Sequence, residues 1–143
     1  MQILGDTGGG KIGALSLEQI MVWLANKDPR LTGLTKEKAR KVPKNDRLLQ
    51  NLKSSVGNVL ATSGDTTAGK GNTRYTFLGD TMYHVSNGAS YDNGFTILFV
   101  KRPGEIAKVF AVGYHIGAQT YELTWAHSDW SRMRDLGQVT LDK

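Results

Sequence analysis

The apolar residues of this 143-residue chain change period part-way along it, recurring at helical spacing up to about Thr62 and at every second position from Arg74 onward. Few architectures accept such a sequence. Helices followed by consecutive strands imply an α+β fold, with N-terminal helices packed on one face of a twisted four- to five-stranded antiparallel meander. One domain is expected over 15–143, helical over 15–62 and sheet over 74–143, behind a flexible glycine-rich lead over 1–14. Ser16-Leu17-Glu18-Gln19 has the form of a capping box, and Leu17, Ile20, Met21 and Leu24 continue as a helix that stops at Asp28-Pro29. Thr35 is placed to cap a short helix ending before Pro43. Asn45 or Asp46 can cap a longer one, with Leu48, Leu49, Leu52, Val56, Val59 and Leu60 as its buried stripe. Strands are expected over 74–78, 81–85, 95–101, 106–115 and 119–127, loops over 63–73 and 86–94, and a short last helix over 128–137.

At this length folding can bury about 68% of the unfolded chain's surface, so no disulfide or metal is required for stability. The chain has no cysteine, which removes disulfides, thiolate nucleophiles and cysteine-based metal sites together. No window approaches the ~20 apolar residues of a membrane span, and the N-terminus lacks the charged and hydrophobic regions of a signal peptide. Export is therefore expected to depend on a larger parent chain. The net charge of +5 points to an anionic partner. It is concentrated: residues 36–53 hold seven basic side chains against Glu37 and Asp46. Lys41, Lys44 and Arg47 in that stretch, with Lys70, Arg74, Lys101 and Arg102 farther on, are candidate phosphate-binding residues; the plainer reading is a solvated helical face.

With two-residue turns, strand alternation would put Gly113 opposite Glu122, Ala111 opposite Thr124 and Thr96, and His115 opposite Thr120. One face would then carry Phe95, Ile97, Phe99, Phe110, Val112, Tyr114, Tyr121, Leu123 and Trp125 under the helices. The other would carry Thr96, Ala111, Gly113, His115, Thr120, Glu122 and Thr124 as a shallow open cleft. A bulge at either turn would shift this pairing by one and separate His115 from Glu122. Together, an imidazole and a carboxylate suit the general acid–base chemistry of RNA cleavage, in which one group takes the 2′-hydroxyl proton and the other protonates the departing 5′-oxygen. Glu122 or His115 is the candidate base, with His115 the acid in the first case and Thr120 or Thr124 as hydrogen-bond donors. The plainer alternative is a surface histidine beside an ordinary strand glutamate.

Two further motifs suggest other chemistry. Gly5-Asp6-Thr7-Gly8-Gly9-Gly10-Lys11 fits the start of a phosphate-binding loop, but Ile12 stands where the magnesium-binding Ser or Thr belongs and no parallel β-α-β pattern follows. Tyr83-His84 resembles the start of the NAD-binding strand of toxin ADP-ribosyltransferases, although no Ser-Thr-Ser or Glu-x-Glu element follows. It marks an alternative site for an NAD-dependent ADP-ribosyltransferase or NAD-glycohydrolase. The three histidines lack metal-ligand spacing, and no metal or cofactor is expected.

Helices first, an antiparallel meander, no cysteine, a high pI and a glycine-rich start together resemble the C-terminal toxin domains of contact-dependent inhibition and other polymorphic bacterial toxins. Within these they resemble the barnase/EndoU/colicin/RelE class of ribonucleases. The run Ile106-Ala107-Lys108-Val109-Phe110-Ala111-Val112-Gly113-Tyr114-His115 is similar to the late strand of RelE-like toxins. No catalytic set aligns position by position. The resemblance implies an RNA target, often tRNA, metal-independent cleavage in the cytoplasm of a target bacterium, delivery by a parent chain, and an acidic immunity protein as partner. A non-catalytic nucleic-acid-binding module would need the basic stripe but neither His115 nor Glu122.

Overall fold

The computed structural model describes residues 17–61, 70–77, 80–100, 108–117, 120–126 and 138–140. Three helices come first: α1 (Leu17–Ala25), α2 (Lys36–Arg40) and α3 (Arg47–Ala61). Six strands follow: β1 (Lys70–Phe77), β2 (Asp80–Asn87), β3 (Phe95–Val100), β4 (Lys108–His115), β5 (Thr120–Ala126) and β6 (Gln138–Thr140). Neighbours in sequence are neighbours in the sheet, in the order β1-β2-β3-β4-β5-β6, and every described pairing is antiparallel. The α+β meander is as expected, with one strand more than the upper expectation. The sheet also begins earlier, at Lys70 instead of Arg74. The capping box at Ser16, the glycine-rich lead, Lys101, Arg102, His127 and the expected last helix lie outside the described residues.

Local chemistry accounts for the helices. Thr35 caps α2 by accepting the Lys38 N–H at 3.1 Å, and Asp46 Oδ1 accepts the Leu49 N–H at 3.0 Å at the start of α3. Helix α1 ends at Ala25, sooner than Asp28-Pro29, because Lys27 and Asp28 turn back to the carbonyls of Leu24 and Ala25. Ile20, Met21 and Leu24 of α1 and Leu49, Leu52, Val56 and Val59 of α3 form the core with Val85, Phe95, Ile97, Phe99, Val109 and Val112. Each such side chain contributes roughly 1.5–3 kcal/mol on burial. The stripe on α3 is narrower than expected, since Leu48 is half-buried and Leu60 is exposed.

None of the expected pairings forms: Thr96 meets Gly113 instead of Ala111, and Ala111, Gly113 and His115 meet Ala126, Leu123 and Tyr121 instead of Thr124, Glu122 and Thr120. Thr96 pairs with Gly113 and Leu98 with Ala111, but Phe99 pairs with Val109, leaving Phe110 as an extra residue on β4. A second irregularity leaves Thr124 extra on β5, between the pairs Val112–Trp125 and Gly113–Leu123. Each bulge moves the following side chains to the opposite face. Phe110, Tyr121 and Leu123 are buried, yet they do not belong to the core under the helices. Gly113 is required at the second irregularity, where a Cβ would collide with the backbone carbonyl of Glu122.

Candidate functional site

The bulge at Thr124 decides what His115 meets. Beyond it, Tyr114 pairs with Glu122 and His115 with Tyr121, so His115 and Glu122 stand on opposite faces of the sheet. The expected imidazole–carboxylate pair is not formed. Glu122 lies beside Tyr114 on the helix side, where loss of solvent and then the Glu122 charge push the Tyr114 phenol up, partly offset by Arg30. Thr124 donates to the Val112 carbonyl at 3.3 Å and does not reach His115. Thr120 pairs through its backbone with Thr140.

In place of a carboxylate, His115 faces hydroxyls. Its Nε2 lies 3.0 Å from Ser86 Oγ, and Ser86 Oγ lies 2.9 Å from Thr96 Oγ1. Its Nδ1 is 3.0 Å from the Gly117 carbonyl oxygen. A carbonyl can only accept, so Nδ1 carries the proton and Nε2 of the neutral ring accepts from Ser86. Tyr121 packs against the same ring at 4.2 Å between centroids, and His84 meets the other part of Tyr121 edge-on at 5.7 Å. Tyr121 is 2% exposed, and burial pushes its phenol up, against the opposing effect of a hydrogen bond with Ser86. The cluster thus joins β2, β3, β4 and β5 on the face away from the helices.

That face is not the open floor expected from alternation. Thr96, Leu98 and Ala111 are buried, whereas Ser86 and His115 at one end of their strands are part-exposed. There Ser86 and His115 border an open groove of about 850 Å³, with the β2–β3 loop and residues 116–117 forming its rim. Gly88 begins that loop at φ 79°, a left-handed conformation suited to glycine.

Tyr83 and His84 alternate across β2. Tyr83 joins the helix-side core against Phe99, at 6.0 Å between ring centroids, whereas His84 lies with Tyr121, so the alternative pair does not form one site. Lys41, Lys44 and Arg47 are exposed around the start of α3. Lys70 and Arg74 belong to β1. Among the described residues, no group of three His, Asp or Glu side chains could hold a metal ion, and no helix is long and apolar enough to cross a membrane. Sequence reasoning missed Ser86, assigned to a loop, and Tyr121, assigned to the helix-side core. The His-x-Ser spacing of 84–86 was the available signal, since alternate strand residues share a face.

No family model matches the chain, and no curated protein or solved structure matches it significantly.

Proposed function

We propose that this chain is a metal-independent endoribonuclease in which His115 is the proton acceptor. The observation that carries the reading is the bracing of the ring: Gly117 fixes the tautomer and leaves Nε2 directed at a hydroxyl, beside an open groove. In the reaction the substrate 2′-hydroxyl takes the place of Ser86 Oγ at Nε2 and attacks the adjacent phosphorus. The bond to the 5′-oxygen breaks, leaving a 2′,3′-cyclic phosphate. The departing oxygen takes its proton from water in the open groove, which His84, the second imidazole on that face, does not border. Buried Tyr121 keeps its proton at neutral pH and positions both rings. The basic stripe at Lys41, Lys44 and Arg47 supplies phosphate contacts. Helices preceding an antiparallel meander, with a net charge of +5, also support a toxin domain carried by a parent protein into a target bacterium's cytoplasm and blocked by an acidic immunity protein.

A second reading rests on the same 3.0 Å contact, which is also the geometry of a serine nucleophile and its base. The two readings separate on purified protein. His115→Ala lowers RNA cleavage by about 10²–10⁴-fold if His115 transfers a proton in the rate-limiting step. Ser86→Ala retains cleavage with cyclic-phosphate ends in the ribonuclease reading and abolishes turnover in the serine reading. Intact RNA with salt-dependent binding that survives His115→Ala would identify a binding module instead.

A further inference from the structure

The groove beside His115 has an aromatic wall that the proton-transfer scheme does not use. Tyr91, in the β2–β3 loop, is 57% exposed, and Tyr114 on β4 meets it edge-on with ring centroids 5.4 Å apart. Both border the same groove as His115. Behind them, the Arg30 guanidinium lies 4.5 Å from the Tyr114 ring centroid and 5.5 Å from that of Tyr91. Its charge is already committed: Arg30 Nη2 and Nε hold the fully buried Asp28 carboxylate, at 2.7 Å for Nη2–Oδ2. Arg30 therefore acts here as a rigid stacking plate and not as an available phosphate ligand.

The Tyr91 ring is not needed to anchor its loop. The main chain does that, through Arg30 Nη1 donating to the Tyr91 carbonyl at 2.5 Å and Asn51 Nδ2 donating to the Asn93 carbonyl at 2.7 Å. Gly88, Ala89 and Ser90 keep the adjoining rim low. The result is a preorganised aromatic surface facing solvent, on a loop fixed from behind. Such a surface binds flat π-systems with little ordering cost, and in single-strand recognition successive bases stack on aromatic side chains of this kind.

Resting on the ribonuclease reading, we infer that Tyr91, backed by Tyr114 and Arg30, is a stacking subsite for an unpaired nucleobase next to the phosphate presented to His115. The substrate is accordingly single-stranded at that position. Duplex RNA keeps its bases inside the helix and cannot supply one without opening.

Binding can be measured apart from cleavage with a fluorescently labelled 2′-O-methyl oligoribonucleotide, which lacks the attacking hydroxyl, by anisotropy. Tyr91→Ala is expected to weaken binding on the order of tenfold or more, while Tyr91→Phe stays within about twofold of wild type. An oligonucleotide with an abasic position scanned along it provides a second arm that does not depend on the folding of a variant. One abasic position should cost wild type a comparable factor and cost Tyr91→Ala little more, because both changes remove the same stack. If wild type cuts RNA while neither Tyr91→Ala nor any abasic position weakens binding, the stacking subsite is overturned and the ribonuclease reading stands. If wild type neither binds nor cuts, both fall.

Discussion

Tyr121 is held among His115, His84 and Ser86 with 2% exposure, and burial makes its anion costly. The folded state therefore binds the phenolic proton more tightly than the unfolded chain, whose tyrosines titrate near 10.0. The associated stability is fully present below that pH and is lost as the pH rises through the folded-state value. Tyr121→Phe should flatten the alkaline decline by up to about 1.4 kcal/mol per pH unit, measurable by urea unfolding between about pH 9 and pH 11. An identical decline in the variant would show that the phenol is not desolvated. Residue-level reasoning from sequence singled out His115 and gave it a companion, Glu122, that it does not meet. The error lies in one extra residue, Thr124, which carries Glu122 to the helix side and brings Tyr121 to the imidazole. A bulge is a two-against-one choice settled by packing on both faces, and nothing local to Thr124 announces it.

Among the elements, those with their own end signals were the legible ones. Thr35 and Asp46 cap their helices as polarity and spacing suggested, because a side-chain oxygen three residues before an orphan N–H is a local matter. Beside its apolar stripe, α3 also holds the sheet through polar residues, and that part was less visible. Ser55 is buried in α3, donating to the Phe95 carbonyl at 2.8 Å and accepting from Asn87 Nδ2 at 2.9 Å. Asn87 also donates to Asn58 Oδ1 at 3.0 Å, so α3 grips both ends of the β2–β3 loop that rims the groove. Ser55→Ala leaves the buried Phe95 carbonyl without that donor and should cost about 1–3 kcal/mol in urea unfolding. Amide exchange over 88–94 should accelerate with it. A loss of global stability with unchanged exchange there would mean that Ser55 serves the core and not the loop.

Across the molecule, the same loop separates two depressions. The His115 groove lies against Gly88, Ala89, Ser90 and Tyr91, and a second hollow of about 450 Å³ lies against Asp92, Asn93, Asp46 and Arg47. Lys41 and Lys44, which precede Arg47 in the chain, are exposed as it is. A single strand with one base on Tyr91 and its phosphate at His115 can therefore lay its flanking backbone over the loop toward the cations. Each phosphate contact releases condensed counterions, contributing about 0.7 to the slope of log affinity against log salt for a single strand. Replacing Lys41, Lys44 and Arg47 together with glutamine should reduce that slope by up to about 2, weakening binding most at low salt. Cleavage at saturating RNA should change little, since these side chains are remote from Nε2 of His115 and bind substrate and transition state alike. A slope equal to wild type would remove the stripe from the RNA path. A fall in saturated turnover at full stability would instead show that the stripe orients the strand at the reacting phosphate.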